Sequence, residues 1–263
     1  MEPTNRPRVA VHKFSSCDGC QLAFLNLGEP LLELAERVEL VHFAEAGPLD
    51  PDAEVDVAFV EGSVSTPEDI ERILHIRAHS RMLIAIGACA TSGGIQALRN
   101  DADGAAWVAQ IYSHPDAIHS LAHSTPISTH VKVDFELWGC PVSGPQILQV
   151  VNSLLLGVAP RDNADKVCTE CKRHGYPCVL VSRGVPCMGP VTRAGCSALC
   201  PSLGRDCYGC YGPAENANTD ALAAQFERLG LAPQAVAQRF QSINSQAPAF
   251  LEAGNKARMR SDE

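Results

Sequence analysis

Eight cysteines fall between Cys168 and Cys210, in a stretch crowded with glycine and proline and almost without a periodic apolar face. A segment of that kind buries too little apolar surface to fold by itself, so something must cross-link it. Disulfides and metal are the two chemical options. The chain begins MEPTNRPRVAVHKF, with neither a paired-arginine signal nor a basic segment followed by an apolar core, and no run reaches the ~18 apolar residues of a membrane span. The expectation is a cytoplasmic chain with no membrane insertion. Thiols stay reduced in that compartment, so the 12 cysteines are expected to bind metal rather than form a disulfide framework. With 21 basic against 30 acidic residues there is no electrostatic footprint for nucleic acid.

The spacing divides the eight into two complete four-ligand sets. One runs Cys168-x2-Cys171-x6-Cys178-x8-Cys187, the other Cys196-x3-Cys200-x6-Cys207-x2-Cys210. Four-cysteine zinc ribbons use such pairs as readily as iron-sulfur sites do, so spacing leaves a zinc-stabilised scaffold open. His174, between Cys171 and Cys178, could replace a thiolate but reads more simply as a histidine outside the ligand set.

The rest of the chain reads as α/β. Arg8 to Phe14, Val38 to Ala44, Val55 to Val60, Met82 to Ile86 and Val131 to Leu137 are short β-branched or apolar runs ending near turn residues, which predicts buried strands. Thr66 caps a predicted helix with Pro67 at its first position and acids in its first turn, leading into Ile70, Ile73, Leu74 and Ile76. Strand, helix, strand implies a right-handed crossover and a parallel sheet. A further helix is expected from Gln146 to Leu156, closed by Gly157. The expected organisation is a parallel-sheet domain over residues 1–157, a small irregular cysteine-rich domain over 158–213, and a helical segment over 214–263. In that last segment Thr219 to Leu229 and Pro233 to Ile243 have helical spacing and the end, GNKARMRSDE, reads as frayed.

The remaining cysteines, Cys17 and Cys20 in SSCDGC, Cys89 in IGACATSGG and Cys140 in WGCP, each follow a predicted strand. The carboxyl ends of strands in an open parallel sheet converge on one crevice, so four residues far apart in sequence can meet there around an ion or a cluster. Neighbouring glycines let the backbone approach and donate N–H groups to sulfur.

Taken together, SSCDGC, VEGSV, GACATSGG, WGCP, PCMGPVTRAGC and CYGCYGP resemble the small subunit of nickel-iron hydrogenases across about residues 8 to 213. The resemblance implies a flavodoxin-like first domain and an electron-transfer role, with the nickel-iron site held by a partner large subunit. It implies that Cys17, Cys20, Cys89 and Cys140 ligate the proximal 4Fe-4S cluster. Glu61 of VEGSV matches an acidic position that the family places near the subunit interface, where it can take part in proton movement; the plainer reading is an exposed acid ending a strand.

Two departures refine the resemblance. Membrane-linked and periplasmic members bind their distal cluster through a His-x2-Cys pair and carry only three cysteines at a three-iron medial cluster. Here Cys168 stands in the place of that histidine, and Cys200 adds a thiolate. The pattern is similar to the cytosolic, multimeric hydrogenases, the delta subunit of sulfhydrogenases above all. That implies Cys168, Cys171, Cys178 and Cys187 at a distal 4Fe-4S cluster and Cys196, Cys200, Cys207 and Cys210 at a medial one. Interleaved ligation of the two is the alternative. The implied partners are the large subunit, a subunit carrying FAD or FMN that binds NAD(P), and a ferredoxin-like iron-sulfur subunit. A subunit akin to the quinone-linked complex I core shares the fold, but that group uses an adjacent Cys-Cys pair, absent here.

Overall fold

The computed structural model describes residues 6–47 and 49–260. Its chain packs as two units, residues 1–137 with 141–161, and residues 138–140 with 162–263.

The first unit is built on a parallel sheet of five strands, β1 (Arg8–Lys13), β2 (Glu39–Phe43), β3 (Val55–Glu61), β4 (Ser80–Ile86) and β5 (Phe135–Leu137), in the order β2-β1-β3-β4-β5. That is the flavodoxin-like order, whose switch point lies between β1 and β3. Side chains alternate across the sheet with the period of two that a strand imposes. Val11, Val57, Phe59, Ile84 and Ile86 build the core on one face, while Ala10, Ala58, Val60, Leu83 and Ala85 build it on the other. Burial on both faces is what a parallel sheet requires, and it explains why these strands read as continuous apolar runs.

The α-helices of this unit are α1 (Gly19–Leu25), α2 (Glu29–Arg37), α3 (Pro67–Ala78), α4 (Gly87–Ser92), α5 (Gly104–Ile111) and α6 (Gly144–Leu155). The start of α3 is fixed by a capping box in which Thr66 accepts from Asp69 N–H and Asp69 returns the bond. Ser143 and Gln146 form a second box, which is why α6 starts two residues before the expected Gln146. The last strand is shorter than the run Val131 to Leu137 suggests. Val131 and Val133 pack against the core outside the ladder, and Asp134 accepts from Leu83 N–H at its entry.

In the second unit α7 (Val167–Arg173), α8 (Val179–Arg183) and α9 (Leu199–Ser202) are short helices along the cysteine-rich stretch, followed by α10 (Thr219–Arg228), α11 (Pro233–Gln241) and α12 (Pro248–Met259). The expected division at residue 213 is absent from the packing. Val167, Val179, Met188 and Val191 share one core with Leu222, Phe226, Val236, Phe240 and Phe250. The apolar surface that residues 168–210 lack is supplied by the helices that follow them. Nor is the end frayed through residue 260: Ala253, Gly254 and Ala257 are buried faces of α12. The final residues 261–263 of the predicted frayed end lie outside the described ones. Among the described residues no helix is long and apolar enough to cross a membrane.

Candidate metal centres

Among the described residues none of the twelve cysteines is paired in a disulfide. In the first unit, Cys17, Cys20 and Cys89 stand at the carboxyl end of the sheet. The loop leaving β1 reaches an exposed Cys17, turns through Asp18 in the left-handed region (φ 63°), and enters α1, where Cys20 is buried. Asp18 does not cap the helix; its carboxylate accepts from Lys13 Nζ at 2.8 Å. The orphan N–H groups are met instead by Glu61 at the end of β3, whose Oε1 accepts from Cys20 N–H at 3.0 Å and Oε2 from Gln21 N–H at 3.3 Å. Glu61 is therefore no exposed strand end. It is 2 % exposed, and burial raises its proton affinity despite the two N–H donors. Gly62 beside it has φ +95° and lies against the Phe14 backbone, so no side chain fits where β3 leaves the sheet.

Cys89 lies in α4, directly after β4, and its thiol donates to Gln96 Oε1 at 3.1 Å. A Cβ on Gly94 would sit 2.6 Å from Cys89 Sγ, so this glycine (φ +60°) is demanded both by the turn and by the sulfur. Cys140 follows Leu137, the register partner of Ile86, by three residues. It packs with the second unit, together with Trp138 and Gly139. Pro141 stays with the first, where a Cβ on Gly19 would lie 3.4 Å from Cys17 Sγ and 3.5 Å from Pro141 Cβ.

In the second unit Cys168, Cys171, Cys178 and Cys187 line one cavity of about 80 Å³, closed by Tyr176, Val179, Leu180 and Pro201 among others. Among the described residues no three His, Cys, Asp or Glu side chains are gathered closely enough to hold a metal ion. The four thiols face a common space. Burial, then Cys187, Cys171 and Cys178, push the Cys168 thiol up to about 11, and Cys171 is raised to about 11 by burial and by Cys187 and Cys178. Four thiolates in an apolar cavity would repel one another and lose their hydration, a cost avoided by keeping the protons or offset by a cationic core among the sulfurs. The donor set fits an iron-sulfur core.

The other set is drawn together less evenly. Cys210 is pushed up to about 12 by burial and then by Cys196, Cys140 and Cys200. Cys196 is raised by burial, Glu170 and Cys200. Cys207 is the most buried, raised first by burial and then by Cys187 and Cys210, and its N–H donates to Cys187 Sγ at 3.2 Å. It thus stands between the two groups of sulfurs.

Glu170 is a residue that the sequence did not single out. From inside Cys168-x2-Cys171 it accepts Gly195 N–H at 2.8 Å and Ala198 N–H at 2.9 Å, spanning the loop that carries Cys196. Within that loop Ser197 and Ala198 both have positive φ, 51° and 52°. His174 is exposed, at the end of α7, and stacks on Tyr176 with ring centroids 5.2 Å apart.

Residues 17–154 match the family described as NADH ubiquinone oxidoreductase, 20 kDa subunit. The delta subunit of sulfhydrogenase 2 from Pyrococcus furiosus is 36% identical over 215 residues, 82% of this chain and 90% of that one. A subunit of the vhu F420-non-reducing hydrogenase from Methanocaldococcus jannaschii is 32% identical over 235 residues, covering 78% of this chain and 81% of its own. In a solved structure of an NAD+-reducing [NiFe]-hydrogenase in its H2-reduced state, one chain superposes with a TM-score of 0.56 at 30% identity, covering 59% of this chain and 94% of that one.

Proposed function

The chain belongs to the NADH ubiquinone oxidoreductase 20 kDa subunit family as one of its nickel-iron hydrogenase small subunits, and from that footing we propose that it is a relay carrying three 4Fe-4S clusters. In this reading Cys17, Cys20, Cys89 and Cys140 hold the proximal cluster, Cys196, Cys200, Cys207 and Cys210 the medial one, and Cys168, Cys171, Cys178 and Cys187 the distal one. Bound there, the clusters would supply one-electron steps between the nickel-iron site of the large subunit and a flavin subunit that exchanges hydride with NAD(P), with a ferredoxin-like subunit between. The single observation that carries the reading is the cavity ringed by four free thiols at Cys168, Cys171, Cys178 and Cys187.

The protein's own part is placement. Glu61 fixes the approach of α1 so that Cys17 and Cys20 are held at the end of β1, and Gly94 keeps the space beside Cys89 Sγ empty of side chain. Pro141, against the Cys17 loop, supports Cys140 as the fourth ligand. Glu61, buried with a raised proton affinity, is suited to hold a proton at its carboxylate, as the family position suggests. Among the similar proteins are an NAD+-reducing enzyme and an F420-non-reducing one. A cytoplasmic location follows from the reduced thiols that the reading needs.

Metal analysis of anaerobically purified protein tests it. The proposal expects about twelve irons per chain and no zinc. Stoichiometric zinc, or fewer than about eight irons, refutes it in favour of a zinc-stabilised scaffold.

A further inference from the structure

Asn244 lies in the turn that joins α11 to α12, outside the cysteine pattern, and is only 1% exposed. Its side-chain Nδ2 donates to the carbonyl of Gly209 at 2.8 Å, across thirty-five residues of sequence. A buried amide costs free energy unless it is hydrogen-bonded, and this one is bonded to the loop between Cys207 and Cys210.

Gly209 is where that loop meets sulfur. Its N–H donates to Cys207 Sγ at 3.4 Å, and its φ of +75° lies in the left-handed region. Cys207 N–H donates in turn to Cys187 Sγ at 3.2 Å. The backbone from Cys207 to Gly209 therefore supplies one N–H donor to a sulfur of each set. Asn244 grips the other side of Gly209: with the carbonyl held, a permissive glycine is kept in the conformation that aims its N–H at sulfur.

The loop has further anchors. Asp206 is paired with Arg239 of α11, the guanidinium groups of Arg205 and Arg239 stand 5.6 and 5.8 Å from the centroid of the Tyr208 ring, and Met188 N–H donates to Cys207 O at 3.0 Å. Gly209 O also accepts from Gly212 N–H at 3.0 Å. These contacts keep Cys207 and Cys210 in place without Asn244, so what Asn244 adds is the orientation of Gly209.

We propose that Asn244 is a positioning residue that tunes the reduction potential of the cluster ligated by Cys207, by holding the Gly209 N–H on the Cys207 sulfur. The proposal rests on the reading of Cys207 as a cluster ligand. A donor to a ligating sulfur offsets negative charge there and favours the reduced, more negative cluster, which raises its potential. Loss of the Asn244 amide lowers it. Cys207 belongs to the medial set, so the bond sets how readily electrons enter the middle of the relay.

The test uses the chain purified anaerobically with its large subunit, as the parent and as Asn244→Ala and Asn244→Leu. Both variants lack the donor, but alanine leaves a void that leucine fills, so an effect common to the two belongs to the bond. Midpoint potentials are read by EPR during reductive titration with dithionite, and iron is counted in each sample. In both variants one midpoint is expected to fall as the reduction equilibrium shifts about three- to tenfold, about 28 to 59 mV for a one-electron couple, with the others unmoved and iron equal to the parent's. Unchanged midpoints, a common shift of all of them, or a fall in Asn244→Ala alone would overturn the proposal. So would iron lost from both variants, since Asn244 would then hold the cluster in place rather than tune it. Iron missing from the parent itself would sink the cluster reading, a failure visible before any variant is made.

Discussion

Removing the Glu170 carboxylate is the most informative single change available in the cysteine-rich unit. Glu170→Ala deletes two charge-assisted bonds, to Gly195 N–H at 2.8 Å and to Ala198 N–H at 2.9 Å. Hydrogen bonds to charged groups contribute about 1.5–3 kcal/mol each, and Glu170 is only partly buried, so the low end applies: about 3 kcal/mol for the pair. The loop it spans also holds two consecutive left-handed residues, Ser197 and Ala198, each costing about 1–2 kcal/mol that the carboxylate helps to offset. In Glu170→Ala that strain is free to relax by moving Cys196 away from Cys200 and Cys210. The expected result is loss of up to about 3 kcal/mol in denaturant unfolding of this unit, with about four irons lost per chain as the second set of thiols disperses. Glu170→Gln keeps an acceptor for one of the two N–H groups and should lose about half as much stability while retaining iron. Both variants unfolding at the parent's midpoint with full iron would show that the loop is held by something other than this carboxylate.

Gly94→Ala places a methyl 2.6 Å from Cys89 Sγ at a φ of +60°, so the first unit should fold but lose about four irons, read by metal analysis; full iron would remove Cys89 from the ligand set. Cys200→Ala should convert a four-iron medial cluster into a three-iron one, visible as a new signal in low-temperature EPR of the oxidised protein, and an unchanged spectrum would exclude Cys200 as a ligand. His12, stacked on His42 at 4.6 Å, is held neutral down to about pH 3 by burial, then by His42, Arg72 and His75, whereas unfolded it titrates near 6.5. Between those values the unfolded chain binds the extra proton, so this contribution to stability falls away as pH drops, by up to about 1.4 kcal/mol per pH unit. His12→Phe should flatten the stability profile between about pH 4 and 6 relative to the parent, measured by denaturant unfolding, and an unchanged slope would place the sensitivity elsewhere.

The strands were legible because a parallel sheet buried on both faces leaves no polar alternation to obscure them, and α3 because Thr66, Pro67 and Asp69 write its start locally. The short helices α1 and α4 were not. Each follows a strand closely at a cysteine-bearing turn, and no apolar period can be read in six or seven residues. Similar locality separates the two acids. Glu61 could be marked as a strand-end carboxylate, but its bonds to Cys20 and Gln21 span about forty residues of sequence, so burial reversed the simpler expectation. Glu170 left no trace at all, because the loop that needs it lies some twenty-five residues downstream and its positive φ values fall on Ser197 and Ala198 as well as on glycine.

The widest gap concerns what organises the cysteine-rich stretch. From sequence the stretch needed metal because it carries too few apolar residues, an argument that counted only its own side chains. Phe226 and Phe240 were visible as parts of helical periods without any sign of what they cover, and Phe250 lay in no predicted helix. In the structure they share a core with Met188, Val191 and the buried cysteines Cys187 and Cys207, and Gly254 in α12 lets that helix lie directly on Gln241 of α11. A scaffold that is already packed can hold eight thiols at fixed positions before metal arrives. Metal then need not create the fold of residues 162–260. It displaces thiol protons at positions that the helices α10 to α12 already hold, so stability conferred by metal in this unit should fall below that of domains which are unfolded without it.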